Sequence, residues 1–102
     1  LGGDERALEV VVRVFAGDAP VQVGRLAEAV GAGDPSAVRE RAHGLKGAAA
    51  NLSAGSLREA AFALEQAGAE GDFDAMPGLL EAVRSELDQL LGVLEKEKNT
   101  NV

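Results

Sequence analysis

One histidine occurs in the chain, His43, inside the run RAHGLKGAAANLSAG at residues 41–55. A neutral imidazole is a competent nucleophile near pH 7, because its unperturbed pKa is about 6.5. Lys46 follows three residues later. On a helix that spacing brings an ammonium group within reach of the ring. A mobile cation beside a nucleophile suits an acquired phosphoryl group. A lone exposed histidine is ordinarily just a polar surface residue, so its surroundings decide its meaning.

With Leu45 as the reference direction of a helix through this run, Val38, Ala42, Ala49 and Leu52 fall within about 60° and form a core-facing stripe. His43 falls about 160° away and should face solvent. Arg41 lies only about 40° from Leu45, so it must snorkel past the stripe's edge or find a partner. Gly44 adjoins His43, Gly47 is one turn on and Ala50 a further turn, with Ser36, Arg39 and Glu40 on the same side toward the N-terminus. The imidazole thus stands on a floor of residues with little side chain. Gly47 costs a helix roughly 1 kcal/mol relative to alanine, where an exposed surface would normally carry Glu, Lys or Gln. Either these small residues admit another helix of the same chain, or they clear room for something bulky that approaches the ring. Lys46, Arg39 and Glu40 would otherwise be ordinary solvated charge.

Other chemistries find little support. The chain has no cysteine, which removes disulfides, thiolate nucleophiles and Cys-based zinc sites. The cysteine-free composition fits a reducing compartment. One histidine alone is poor material for a metal site. A Ser–His–Asp triad needs a pocket, which a slim helical bundle with short loops does not offer. Neither GxxxxGK[ST] nor GxGxxG occurs, so no nucleotide cradle is recognisable. What remains is a nucleophile on a convex surface, able to accept a group from another protein's active site.

The elements that must position it read as helices. The 102 residues suffice for one domain. Apolar residues make up 46 % and are largely Ala and Leu, strong helix formers, whereas the aromatics are only Phe15, Phe62 and Phe73. The fold class is therefore all-α. Helix punctuation divides the chain into five segments: about Asp4 to Phe15; Ala19 to Val30, with Asp18 as cap and Pro20 just inside; Pro35 to Leu52, capped by Asp34; Ser56 to Ala69; and Ala75 to Lys96. The last four form an antiparallel up-down-up-down four-helix bundle, because short linkers make sequential helices antiparallel neighbours. The first segment is an additional N-terminal helix that packs across one end or side. The core spans about 18–97, and the ends, 1–3 and 98–102, read as frayed, as in a piece of a larger polypeptide. Glu70, Asp72 and Asp74 read as caps and loop residues, and Glu95, Lys96, Glu97 and Lys98 as a solvated helix end.

The net charge is −7, whereas duplex-binding surfaces are basic. Nucleic acid and anionic membranes are poor partners. No apolar run approaches the roughly 20 residues that span a bilayer, and no basic-then-apolar signal-peptide pattern occurs in the sequence. Cytoplasm is the expected setting.

At this point the residues match a family. AHGLKGAAANLSA resembles the signature of histidine-containing phosphotransfer (HPt) domains: His, any residue, Leu-Lys-Gly, small residues and a further leucine. LREAAFALEQAGAEGD resembles the family's following helix, and the likeness runs from about Val23 to Leu94. It implies a four-helix bundle with an extra N-terminal helix. It implies that His43 is the phosphorylated residue, through Nε2, that Lys46 helps hold the phosphate, and that Gly47 clears room for an incoming receiver domain. Ser53 stands where many relatives have glycine. The family's imidazole-orienting glutamine falls by counting at Glu65, with Gln66 beside it. Helix geometry agrees: His43 lies eleven residues before the turn near Ala54, so the level residue on the antiparallel helix is near Glu65. Either Glu65 or Gln66 could reach the ring's other nitrogen, and both could equally be solvated. Phe62 falls outside the core stripe and is either an anchor for a partner or, preferably, packed under the first helix.

The function so implied is a stoichiometric phosphoryl carrier in a two-component phosphorelay, not an autonomous enzyme. It would be a monomer with no metal or cofactor of its own, Mg²⁺ being supplied by the receiver. Its partners would be response-regulator receiver domains and a hybrid histidine kinase, met through Arg39, Glu40, Gly44, Ala50 and Phe62. Two rivals stand beside it: a kinase-substrate (P1-type) domain of a chemotaxis-type histidine kinase, and a helical interaction module that is never phosphorylated.

Overall fold

In the computed structural model the backbone is described for residues 2–100 and the side chains for 6–96. Four helices account for nearly all of it: α1 (Gly2–Gly31), α2 (Pro35–Asn51), α3 (Gly55–Glu70) and α4 (Met76–Thr100). No strand occurs among the described residues. The ends expected to fray, 1–3 and 98–102, lie at or beyond the limits of this description, as do the side chains of Glu97 and Lys98.

Each helix contributes one apolar stripe at three- and four-residue spacing. Phe15, Ala19, Val23 and Leu26 from α1 meet Val38, Ala42, Leu45 and Ala49 from α2, Leu57, Ala61 and Leu64 from α3, and Met76, Leu80, Val83 and Leu87 from α4. Side chains so spaced lie on one face of a helix. Leu52, expected on the α2 stripe, is only partly buried because the helix has ended at Asn51. Arg41 reaches solvent. Neighbouring helices form a closed ring, α1–α2–α3–α4–α1, and among the described residues the backbones of the diagonal pairs, α1 with α3 and α2 with α4, stay further apart, their side chains sharing the core.

Local chemistry ends the elements where the sequence indicates. Asp34 caps α2, its Oδ1 accepting from the Ala37 N–H at 3.1 Å, with Pro35 at the first helical position. Gly71 closes α3 in the left-handed conformation, φ 68°. Asp72 accepts from the Ala75 N–H at 3.3 Å ahead of α4. Ser53 takes φ 54° in the α2–α3 turn. That left-handed backbone is the physical reason glycine would suit its position.

One expectation fails. The sequence AGDAP does not break the chain: α1 runs unbroken through Asp18 and Pro20, so there are four helices and not five. Nor does the first segment turn to pack across the bundle; it extends α1, with Leu8, Val10, Val11 and Val14 exposed. Burial overrides the local signal here. Phe15, Ala19 and Val23 carry the core stripe straight past the proline, while Pro20 itself is exposed. A missing N–H is best tolerated on the solvent side, where water can satisfy the freed carbonyl.

Candidate functional site

The α2–α3 hairpin positions every group of interest. The two helices are antiparallel, with Gly68 beside Pro35 and Arg39 at one end and Glu65 beside His43 and Lys46 further along. Gly68 makes the close approach possible. A Cβ there would lie 2.6 Å from the Arg39 nitrogen and 2.9 Å from the Pro35 carbonyl oxygen. Gly68 is not among the site residues expected from the sequence. Its signal was present, because Gly68 falls about 40° from Leu64 on the α3 wheel, and a glycine on a buried stripe marks a close helix contact.

His43 faces outward, its side chain 68 % exposed. Its Nδ1 lies 3.1 Å from Glu65 Oε2. An ionised carboxylate only accepts, so the neutral ring must donate through Nδ1–H. Nε2 is then left with its lone pair toward solvent. Glu65 also meets Lys46, whose Nζ is 2.8 Å from Oε1. The ammonium is the ion-pair contact of this buried oxygen. Contact with Lys46 is the chief cause that lowers the Glu65 pKa below 4.5, with His43 adding to it against the effect of burial. Glu65 is therefore anionic at neutral pH, which fixes the tautomer. Lys46 in turn sits 4.9 Å from the centroid of the Phe62 ring, in cation–π range.

The remaining candidates sort by position. Gln66 is exposed and not bonded to the ring, which takes Glu65. Ser36, Arg39, Glu40, His43 and Glu65 line an open depression of about 380 Å³. Gly44 and Ala50 are exposed on α2. Phe62 does not pack under the first helix; its ring is exposed and lies beneath the Lys46 ammonium of α2. Its spacing of three from Glu65 was the available sign that both lie on one face of α3. Gly47 is exposed, and a Cβ built there meets nothing within 4 Å. Packing against another helix of the chain is thus not what its smallness serves. Among the described residues no group of three or more His, Cys, Asp or Glu side chains is placed to hold a metal ion.

Glu65→Gln tests the network with a sign that can be worked out. The folded pKa of Glu65 lies below its ordinary value. Its stabilising contribution is therefore complete above about pH 4.5 and lost as pH falls through the lowered folded value. Urea unfolding measured between pH 3 and 6 should show that acid-side decline in the wild type and a flatter limb in Glu65→Gln. Imidazole ¹⁵N shifts near pH 8 should show the Nδ1–H tautomer losing its dominance in the variant.

An outward imidazole, its tautomer set by a carboxylate on the adjacent helix and its flank open, defines a protein class that presents histidine to another macromolecule. The Hpt domain model matches residues 10–93, and the chain belongs to that family. Among solved structures, the crystal structure of histidine-containing phosphotransfer protein B (HptB) from Pseudomonas aeruginosa PAO1 is similar, with a TM-score of 0.86 and 28 % sequence identity over 96 % of this chain and 84 % of that one. No curated protein matches the sequence. No helix among the described residues is long and apolar enough to cross a membrane.

Proposed function

We propose that this chain is a phosphorelay carrier that takes a phosphoryl group onto His43 from an aspartyl phosphate of a receiver domain and passes it to a second receiver. The observation that carries this reading is the Glu65–Nδ1 contact at 3.1 Å on a ring that is otherwise exposed. In the forward step the Nε2 lone pair attacks phosphorus. The N–P bond forms, the P–O bond to the aspartate breaks, and the carboxylate leaves with the electron pair. The ring becomes a phosphoimidazolium that keeps its Nδ1 proton, and the Glu65 carboxylate faces that positive charge. Lys46 exchanges Glu65 for the phosphoryl oxygens. Return transfer retraces the same path.

The receiver supplies Mg²⁺ and most of the transition-state stabilisation. This chain supplies nucleophile, cation and docking surface on an up-down-up-down frame, and acts as a stoichiometric intermediate in the cytoplasm. Receiver domains, including those of a hybrid kinase, meet the face formed by Arg39, Glu40, Gly44, Ala50 and Phe62. Incubation with a phosphorylated receiver should move an acid-labile label onto the chain, with peptide mapping placing it at His43. A label that stays on the receiver, or maps elsewhere, overturns the assignment.

Gly47 separates docking from folding. Gly47→Ala should raise stability by about 0.5–1 kcal/mol in denaturant unfolding, since alanine is the better helix former and the space is open. The same change should slow transfer from the receiver, measured as initial rate at fixed donor concentration, because the added methyl projects beside the ring.

A further inference from the structure

α1 carries two apolar faces, and the core uses only one. About 150° around the helix from the buried stripe lie Val10, Val14 and Val21, each more than half exposed. Ala7 is exposed with them. Gly17 and Gly24 complete the row, and a Cβ at either meets nothing within 4 Å. Each exposed glycine costs the helix roughly 1 kcal/mol relative to alanine, and no group within the chain occupies the room. Positions 7, 10, 14, 17, 21 and 24 are alternately three and four residues apart. That is the a/d repeat of a helix-pairing seam, with Ala7, Val14 and Val21 at a and Val10, Gly17 and Gly24 at d.

We propose that this seam pairs with the same seam of a second copy, the two α1 helices lying parallel about a twofold axis. Charge selects the occupant and its direction. Arg13 immediately precedes a at Val14, and Asp18 immediately follows d at Gly17, so they occupy g and e. Among the described residues neither forms an ion pair within the chain. Five residues apart, they flank opposite sides of the seam and cannot meet on one helix. In a parallel pair, g of one helix faces the following e of the other. Arg13 of each copy then meets Asp18 of its mate, twice per dimer. An antiparallel pairing of the same seam would set Arg13 against Pro20 and Asp18 against Val11, and neither charge would find a partner. β-Branched valine at a is half of the pattern that favours two parallel strands, and glycine at d, where that pattern has leucine, lets the backbones close up. A twofold axis is also the commonest symmetry of such self-pairing.

The pairing leaves the phosphotransfer reading untouched and does not rest on it. The seam lies wholly on α1, whereas His43 and Lys46 lie on α2 and Glu65 on α3. The proposed dimer departs from the monomer expected from the sequence.

Sedimentation of the full chain from micromolar to millimolar concentration should show reversible monomer–dimer exchange. Val14→Glu with Val21→Glu should leave only monomer; both positions are exposed, so thermal unfolding should confirm an intact fold. Arg13→Asp and Asp18→Arg should each weaken dimerisation roughly tenfold, and the double reversal should restore it to within about twofold of wild type. A chain that stays monomeric at millimolar concentration overturns the proposal, even if this face captures some other helix. So does a dimer indifferent to the valine changes, or a double reversal that fails to restore.

Discussion

Replacement of His43 by glutamine should leave the bundle standing and remove the acid-labile label entirely. The side chain is 68 % exposed, and among the described residues its hydrogen bond is the 3.1 Å contact to Glu65. Glutamine keeps an N–H donor of similar reach, so Glu65 retains a partner and Lys46 its place. Stability should change by no more than about 0.5 kcal/mol, as for other surface substitutions. The amide nitrogen, by contrast, has its lone pair delocalised into the carbonyl and cannot attack phosphorus. Transfer should fall at least about a thousandfold, the scale expected when a nucleophile is deleted. Parallel measurement of thermal unfolding and of label transfer separates the two effects. A His43→Gln protein that still acquires an acid-labile phosphoryl group would exclude this ring as the acceptor.

The largest structural effect should come from a methyl group. Gly68→Ala places a carbon 2.6 Å from the Arg39 nitrogen, 2.9 Å from the Pro35 oxygen and 3.0 Å from the Arg39 Cα. All three are backbone atoms, so no side chain can swing aside; α2 and α3 must part. Overpacking of this kind costs about 1–3 kcal/mol and occasionally more. Alanine returns up to about 1 kcal/mol in helix propensity. A net loss of about 1–2 kcal/mol is expected in chemical denaturation. The separation also pulls Glu65, three residues away, from His43 and Lys46, so transfer should slow even under conditions where the variant is fully folded. Set beside Gly47→Ala, the same substitution has opposite signs on stability at two helical glycines. The difference lies wholly in what surrounds the missing Cβ.

These two glycines also show what a sequence discloses. The wheel around Leu45 placed His43 outward and Val38, Ala42 and Ala49 inward, because helical periodicity is a property of the local chain. The level of Glu65 opposite His43 followed from counting through a tight turn, and the structure chooses it over Gln66. Asp34, Pro35 and Gly71 announced helix ends because their chemistry is local. Pro20 misled for the complementary reason. Its local preference is for a helix start, and only long-range burial of Phe15, Ala19 and Val23 shows why the helix continues. Phe62 was placed under the wrong neighbour, since a single wheel says which face a side chain occupies and not which helix lies beyond it. The triangle of Lys46, Glu65 and Phe62 joins two helices and required coordinates.

Every group given a part in the transfer belongs to α2 or α3, and these helices are bound to each other by the Gly68 contact. α1 and α4 reach the reaction only through the core they help to seal. Their outer surfaces are therefore at liberty to drift, acquire new attachments or set how long the domain survives, without altering how a phosphoryl group arrives or departs. A single hairpin holds the chemistry, and half of the molecule is left as ground on which different relays can build their own connections.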